Sequence, residues 1–267
     1  MPLSELNIPL GTDRDVSGMR LGDLGPDDHV IFYPKSAFYW LPDWGLHAKA
    51  SLVIAEPRAV HGWHMSLLKL FHRRFFRVLT RDRRLIASIP NAVFHNHTFS
   101  YLSNPIEVDT AKSSSCSLIA SGKRDLPGHR LRHRVVDLIR SEGLDVDIMG
   151  RGYAPFETKE DGLARYRFSV VIENSREPAY ISEKLVDAAL CRTVPIYWGA
   201  PDVDDWFDPD GLIVCKTEAE LLDAIRSLPN LRYDRFSTAL ERNRTHALEL
   251  MNGDRTAAET LVRELAA

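Results

Sequence analysis

The stretch FSVVIENSREPAYISEKLVDAALCRTVPIYWGAP, residues 168–201, carries polar side chains at the points where buried elements should end. Glu173, Asn174 and Ser175 come directly after an apolar run that is typical of a strand covered on both faces. At the carboxyl end of such a strand they would point into the crevice in which α/β sheets bind ligands. A turn in which the asparagine and the serine bond their own backbone is the alternative interpretation.

A second polar pair, Glu183 and Lys184, opens the next predicted helix. Ser182 is a good N-cap residue, so both side chains fall in the first helical turn. A lysine is unfavourable at the positive end of a helix dipole unless an anion binds beside it, and a diphosphate is the obvious anion. Glu183 would then accept hydrogen bonds from sugar or ribose hydroxyls. A solvated ion pair between the two residues is the alternative.

Short apolar runs alternate with helical patterns along the whole chain, which indicates parallel α/β units. In the first part, a helix is predicted within 61–74 and strands are predicted at 29–34, 51–57, 76–82 and 91–96. In the second part, the predicted strands are 116–121, 146–150, 168–173, 193–198 and 212–216. The predicted helices there are 129–142, 182–191 and 217–227, with a helical tail at 233–267. The serine-rich segment 108–116 predicts a boundary between domain 1–112 and domain 113–267.

The composition is that of an ordinary globular protein. The 267 residues are 44% hydrophobic and 27% charged, and the formal net charge of −3 argues against a nucleic-acid partner. No apolar run is long enough for a transmembrane helix, and the first 16 residues do not resemble a signal peptide. The three cysteines lie in apolar runs without metal-like spacing, so core packing and a reducing, cytoplasmic location are expected.

The polar stretch resembles the donor-binding signature of the α-1,3/1,4-fucosyltransferases, glycosyltransferase family 10. The matching positions are Phe168, Glu173-Asn174-Ser175, Tyr180-Ile181-Ser182-Glu183-Lys184-Leu185, Val194-Pro195 and Gly199-Ala200-Pro201. A second block, HRLRHRVVDLIRSEGLDVDIMGR at 129–151, resembles the arginine-bearing helix of that family. Arg132 matches the arginine that neutralises the donor diphosphate, and Arg130 is the alternative if the alignment slips by two residues. Helical spacing places Arg130 and Arg134 on one side and turns Arg132 away from them.

The resemblance implies a GT-B fold, in which two Rossmann-like α/β domains face each other across a cleft. The C-terminal domain would hold GDP-fucose and the N-terminal domain the saccharide acceptor. The implied reaction is an inverting transfer of fucose to a saccharide hydroxyl, in surface polysaccharide or lipopolysaccharide biosynthesis or in protein glycosylation, without a metal or another cofactor. The implied donor-binding residues are Arg132, Glu173, Asn174, Ser175, Tyr180, Glu183 and Lys184. A transferase that uses another GDP-sugar, and a non-catalytic nucleotide-sugar- or glycan-binding relative, are the alternatives.

An inverting transfer also requires a base that takes the acceptor proton. Glu56, at the end of the predicted strand 51–57, is the candidate, and an ordinary strand-end carboxylate is the alternative. Four histidines in the same half would line the acceptor site or simply occupy strand ends: His61, His64, His95 and His97. The sequence DPD at 208–210 resembles a metal-binding Asp-x-Asp motif, but its position before a strand favours a turn.

The segment 71–84 combines six arginines with three phenylalanines. Such a basic patch would suit peripheral contact with the anionic surface of the inner membrane, or an acidic glycan. A solvated helix-to-strand edge is the alternative interpretation.

Overall fold

The computed structural model describes residues 1–8, 10 and 14–266. Positions 9 and 11–13 of the N-terminal segment, and Ala267 at the end of the predicted tail, lie outside the described residues. The chain divides into two compact units. The first unit is Met1–His97 with Asn252–Ala267, and the second unit is Thr98–Met251.

The first unit contains a four-stranded parallel sheet in which the strands are neighbours in chain order. The strands are β1 (His29–Phe32), β2 (Lys49–Ile54), β3 (Val78–Thr80) and β4 (Ala92–Phe94). The connections hold the helices α1 (Ala37–Trp40), α2 (Arg58–Phe71) and α3 (Arg83–Ile86). All four strand predictions and the helix within 61–74 are confirmed. The helices α1 and α3 were not predicted, because a single turn carries no periodic signal.

The second unit contains a five-stranded parallel sheet in the order β6-β5-β7-β8-β9. The strands are β5 (Ser114–Ile119), β6 (Asp147–Met149), β7 (Tyr166–Ile172), β8 (Val194–Trp198) and β9 (Ile213–Val214). The helices are α4 (Pro127–Glu142), α5 (Glu183–Leu190), α6 (Glu218–Ser227) and α7 (Ser237–Leu250). Every strand and helix predicted in this part is confirmed. The chain leaves β5 towards β6 and then returns to β7 on the other side of β5, which creates a topological switch point.

The last helix, α8 (Gly253–Ala266), belongs to the first unit rather than to the second. In a sheet whose strands follow chain order, right-handed crossovers place all connecting helices on one face. Leu52 of β2 accordingly packs in the core that contains α2, whereas Val53 faces the other side. There it packs with Ala257 and Leu261 of α8, which cover the second face of the sheet.

The observed division of the chain therefore differs from the predicted domains 1–112 and 113–267. The second unit begins at Thr98, and the end of the chain returns to the first unit. The sequence showed a helical tail but could not show which sheet the tail would cover.

The basic segment at 71–84 is divided between core and surface, with Arg73, Arg83 and Arg84 exposed, and the membrane contact expected there stays a prediction. Phe75 and Arg81 are buried, and Arg77 donates from Nε to Glu264 of α8 at 3.0 Å. The strand β3 lies inside the segment, and its residues are all buried because both faces of the sheet are covered.

Two further expectations concern the cysteines and membrane-spanning helices. Cys116, Cys191 and Cys215 are buried free thiols, which confirms the prediction of core packing. Across the described ranges, no helix is both long enough and apolar enough to cross a bilayer.

Candidate functional site

A cavity of about 450 Å³ opens in the second unit at the carboxyl ends of three neighbouring strands. Ser121 follows β5, Arg151 follows β6 and Asn174 follows β7, and all three line the cavity. Because β5 and β7 flank the switch point of the sheet, this is the place at which parallel α/β sheets bind ligands.

Among the side chains that line this cavity, five are cationic and one is a carboxylate. The cations are Lys123, Arg132, Arg151, Lys159 and Lys184, and the carboxylate is Glu183. His129 also lines the cavity, and burial together with the Arg132 charge lowers its pKa. Such an excess of positive charge in a concave, partly enclosed site favours a ligand with at least two negative charges.

The N-terminus of α5 is fixed by a buried carboxylate. The Glu173 side chain is fully buried, and its Oε1 accepts a hydrogen bond from the Ser182 backbone N–H at 3.0 Å. The Ser182 hydroxyl donates to Glu173 Oε2 at 2.6 Å and accepts from the Lys184 backbone N–H at 3.3 Å. Glu173 therefore holds the N-cap of α5 in place and does not itself reach the cavity. Its predicted contact with a donor is replaced by a positioning role, because its oxygens are sequestered.

Lys184 and Glu183 form an ion pair at the wall of the cavity. The Lys184 ammonium donates to Glu183 Oε1 at 2.9 Å and lies 3.7 Å from Glu173 Oε2. Burial disfavours the ammonium, but the two carboxylates outweigh burial and raise the pKa of Lys184. Burial also disfavours the Glu183 carboxylate, but Lys184 outweighs it and lowers the pKa of Glu183. Both groups therefore carry their charges at neutral pH, and the prediction that they share the first turn of a helix is confirmed.

Arg132 reaches the same cavity from α4. Its Nε donates to the Ile172 carbonyl at 3.1 Å, and its Nη2 donates to Asn174 Oδ1 at 2.8 Å. Burial lowers the pKa of Arg132, and the nearby Glu173 charge opposes this. Arg130, the alternative from sequence, is exposed and donates to the Asp125 carbonyl at 2.6 Å. The structure thus brings Arg132, and not Arg130, to the cavity.

Of the remaining predicted donor-binding residues, Asn174 lines the cavity, whereas Ser175 and Tyr180 do not. Ser175 is buried, and its hydroxyl donates to the Glu177 side chain at 3.1 Å rather than to its own backbone. Tyr180 is also buried, and its hydroxyl accepts from Asn174 Nδ2 at 3.2 Å. Asn174 is therefore held between Tyr180 and Arg132, and it is the member of the Glu-Asn-Ser group that lines the cavity.

The predicted catalytic residue, Glu56, lies in the first unit. It is half-buried and follows the carboxyl end of β2. After β4, two strands away in the same sheet, His95 and His97 are buried, their facing ring nitrogens are 3.3 Å apart, and burial lowers both pKa values to about 4. Burial likewise lowers the pKa of His61 to about 4. These imidazoles are therefore neutral at pH 7.

The DPD sequence at 208–210 forms a turn, as its position predicted. Asp208 Oδ1 accepts from the Asp210 backbone N–H at 3.0 Å, and its other carboxylate oxygen accepts from Arg242. The Asp208 side chain is therefore used as a turn cap and in an ion pair.

Several cavity residues were missed by sequence reasoning. Lys123 and Tyr101 come from loops and Lys159 begins a single 3-10 turn, so no periodic spacing marks them. Arg151 had a weak signal, because it directly follows the end of a predicted strand in the sequence VDIMGR.

Asp187 was also missed, although it lies one helical turn after Glu183. Its side chain is fully buried, and its Oδ1 accepts from the Ser100 hydroxyl at 2.8 Å and from the Tyr101 backbone N–H at 3.1 Å. Within the part of the chain that the structure describes, its Oδ2 has no hydrogen-bond partner. Burial raises the pKa of Asp187 to about 7. Asp187 thus fixes the loop that places Tyr101 beside the cavity.

Replacement of Asp187 by asparagine is expected to flatten the pH dependence of stability. The folded pKa of about 7 lies above the ordinary value of 3.8, so the folded chain retains a proton that the unfolded chain releases. This contribution is complete below pH 3.8 and is lost as the pH rises through about 7. Urea denaturation at a series of pH values should therefore show a steeper fall in the unfolding free energy for the wild type than for Asp187→Asn. Equal slopes would contradict the raised pKa, and Asp223→Asn, at an exposed carboxylate, is the control.

Comparison with known sequences shows what the chain around this site is similar to. Residues 111–235 match the family model described as "Glycosyltransferase family 10 (fucosyltransferase) C-term". The chain is 37% identical over 57 residues to the α-(1,3)-fucosyltransferase FucT of Helicobacter pylori, covering 21% of this chain and 12% of the relative. It is 35% identical over 120 residues to the 3-galactosyl-N-acetylglucosaminide 4-α-L-fucosyltransferase of Homo sapiens, covering 37% of this chain and 33% of the relative. These matches span at most a third of the two relatives' own length.

Comparison with solved structures concerns the fold. An α1,3-fucosyltransferase solved with GDP-fucose is similar with a TM-score of 0.53 at 18% identity, over 82% of this chain and 71% of the other. TarM is similar with a TM-score of 0.58 at 14% identity, over 89% of this chain and 54% of the other. The predicted α/β class with parallel sheets, of the GT-B type, is confirmed. Residues 111–235 match the C-terminal domain of glycosyltransferase family 10 and contain the whole predicted donor signature, so the predicted resemblance to this family is confirmed over that part of the chain.

Proposed function

We propose that this protein is an inverting glycosyltransferase that transfers fucose from GDP-fucose to a hydroxyl of a saccharide. The observation that carries the proposal is the cavity at the switch point of the second sheet, into which Arg132 and Lys184 bring permanent positive charge. A nucleoside diphosphate matches this site in charge and in position, since it fits both the excess of cations and the N-terminus of α5.

The donor diphosphate would lie between Lys184 and Arg132. Arg132 is held by the Ile172 carbonyl and by Asn174, so its guanidinium is already oriented before a ligand binds. Lys184 is held by Glu183, whose carboxylate can also accept hydrogen bonds from ribose or sugar hydroxyls. Preorganised cations of this kind stabilise the negative charge that develops on the departing GDP. They would supply the positive charge that a metal ion supplies in other transferases, and no further cofactor enters the proposal.

The identity of the nucleotide sugar rests on the family. One of the structural neighbours contains GDP-fucose, and the relatives named above are fucosyltransferases. The cavity residues that would bind the diphosphate would not distinguish one GDP-sugar from another, because all GDP-sugars share that diphosphate. A transferase that uses a different GDP-sugar is therefore the second candidate, and a non-catalytic binding protein is the third.

The first unit would supply the acceptor side and the base. Glu56, at the end of β2, would take the proton of the attacking hydroxyl, because a carboxylate can accept a proton from an acceptor hydroxyl. The human relative is named for a galactosyl-N-acetylglucosamine acceptor, so disaccharides of galactose and N-acetylglucosamine form a rational first acceptor panel. We also propose that the acceptor belongs to a surface polysaccharide and that the protein modifies it in the cytoplasm.

Calorimetric titration with GDP-fucose, GDP-mannose and UDP-galactose tests the donor. We expect GDP-fucose to bind the wild type and Lys184→Ala to bind it about 10- to 150-fold more weakly, because one charge-assisted interaction contributes about 1.5–3 kcal/mol. The matched control is Lys216→Ala, which removes an exposed lysine of the same unit.

Each result of this titration has a defined meaning. Equal binding of GDP-fucose and GDP-mannose would favour a transferase with another GDP-sugar donor. No binding of any nucleotide sugar would overturn the proposed function. Strong GDP-fucose binding without fucose transfer to any member of the acceptor panel would favour the non-catalytic alternative.

A further inference from the structure

The first unit exposes large apolar side chains on α1, on α2 and just after α1. The exposed fractions are 61% for Trp40, 63% for Trp63 and 77% for Leu70, and Leu41 and Val60 are exposed as well. Clusters of such side chains on a protein surface mark contact sites, whereas isolated ones do not. These five residues are called the Trp63 patch below.

The members of the Trp63 patch are neighbours in space. Trp63 and Leu70 are seven residues apart on α2, so they share one face and lie about 10 Å apart along the helix axis. The ring of Trp40 packs edge-on against Phe71, with 5.2 Å between the ring centroids. Arg74 donates to the Leu41 carbonyl, which fixes the residue after α1 beside the end of α2. The patch is therefore one continuous surface.

Helix α2 carries apolar side chains on two sides, but only one of these sides packs in the core. Met65 and Leu68 pack against the first sheet, as expected for an amphipathic helix. Trp63 and Leu70 point outward instead and have no place in that core. Three of the neighbouring outward positions are small: Ala59, Gly62 and Ser66. Small neighbours leave the two large side chains protruding from the surface.

Exposed cations lie on α2 and on the segments that follow it, while Asp43, two residues after Leu41, is an exposed carboxylate. Lys69 and Arg73 are exposed on α2 and directly after it, and Arg83 and Arg84 are exposed on α3. The segment 58–74, which contains all of α2, has no acidic residue. Protruding tryptophan and leucine side chains bordered by lysine and arginine are typical of proteins that lie on a membrane surface.

We propose that the Trp63 patch docks the first unit on an anionic lipid surface. Trp63, Trp40 and Leu70 would enter the boundary between headgroups and acyl chains, while the exposed cations contact the lipid phosphates. An acidic glycan would satisfy the arginines but would offer no hydrocarbon to Leu70. A symmetric contact with a second copy would bring Lys69 and Arg73 of both copies together, and like charges oppose such a contact.

Docking on lipid goes beyond the proposed sugar transfer, because it would determine where the protein acts. The lipid contact uses the first unit alone, whereas the candidate donor cavity lies in the second unit. A protein held at a lipid surface would meet acceptors that are themselves anchored in lipid. Lipid binding and donor binding can therefore be tested separately, and failure of one proposal would not decide the other.

Sedimentation with vesicles tests the proposal. Phosphatidylcholine vesicles with and without phosphatidylglycerol are mixed with the full chain, and the bound fraction is measured at low and high salt. We expect the wild type to bind the vesicles that contain phosphatidylglycerol, and to bind them less at high salt. The double variant Trp63→Ser/Leu70→Ser should lose at least tenfold in the vesicle partition constant, and Lys69→Glu/Arg73→Glu should lose binding to the anionic vesicles.

The matched control is Val262→Ser/Leu265→Ser, which removes two exposed apolar side chains of α8 in the same unit and should bind as the wild type does. Titration of every variant with GDP-fucose, together with its thermal unfolding, checks that the chain still folds. Absence of wild-type binding to the anionic vesicles, or unchanged binding by Trp63→Ser/Leu70→Ser, would overturn the proposal. A wild-type dimer in gel filtration that the same variant converts to a monomer would assign the patch to a second copy instead.

Discussion

Replacement of Glu56 by glutamine is expected to slow fucose transfer about 10²- to 10⁴-fold, the usual contribution of a general base. Glutamine has the shape of glutamate but cannot accept the proton of the attacking hydroxyl. Glu56 lies in the first unit and the candidate donor cavity in the second, so binding of GDP-fucose should stay within about twofold of the wild type, since the variant removes no donor contact. The measurement is kcat with the disaccharide panel defined above, alongside a calorimetric titration of the donor.

The control for this prediction is Glu259→Gln, which neutralises another carboxylate of the first unit and removes only an ion pair with Arg255. Its kcat should remain near the wild-type value. If Glu56→Gln also keeps its kcat, the base is another residue and Glu56 is an ordinary strand-end carboxylate. If Glu56→Gln loses donor binding as well, the variant has perturbed more than proton transfer.

Replacement of Gly128 by alanine is expected to destabilise the second unit and to weaken donor binding together. Gly128 lies in the first turn of α4, and its backbone N–H donates to the Asn174 carbonyl at 3.0 Å. A Cβ atom at this position would lie 1.7 Å from the Glu173 carbonyl oxygen, which belongs to the backbone and cannot rotate away. The start of α4 would have to move away from the end of β7. Overpacking of this kind costs about 1–3 kcal/mol or more.

The same displacement should affect the site, because Arg132 follows Gly128 by one helical turn. Arg132 donates to the Ile172 carbonyl and to Asn174, so a shift of α4 breaks the contacts that orient its guanidinium. Urea denaturation should show a lower unfolding free energy, and titration with GDP should show weaker binding. Gly122→Ala is the matched control, since a Cβ there meets no atom within 4 Å. Equal stability and equal GDP affinity for Gly128→Ala and Gly122→Ala would contradict the close approach of α4 and β7.

The strands were predictable because each of them is a short apolar run between polar or turn-forming segments. Residues 168–173 read as a strand buried on both faces, and β7 is indeed covered on one face by the cluster with Val170 and on the other by the cluster with Val171. The amphipathic helices were predictable for the same local reason, since apolar residues recur at helical spacing. The single-turn helices α1 and α3 carry no such period and were missed.

The site was predictable only where a residue follows an element that the sequence defines. Asn174 follows β7, and Glu183 and Lys184 begin α5, so all three were placed correctly at the carboxyl edge of the sheet. Lys123 reaches the same cavity from a loop and Lys159 from a single 3-10 turn, and no periodicity marks residues of such short segments. The sequence also could not show which way a strand-end side chain points. Glu173 turns inward to Ser182 rather than into the cavity.

The amino-acid sequence by itself determined the order of strands and helices, the family signature and the polar groups at the strand ends. Each of these depends on residues that are close together along the chain. The tertiary structure alone decided which sheet α8 covers, that Arg132 rather than Arg130 reaches the cavity, and that the basic segment at 71–84 is divided between core and surface. Those outcomes depend on which faces of distant elements meet, because an apolar face is buried by whichever partner the topology brings to it.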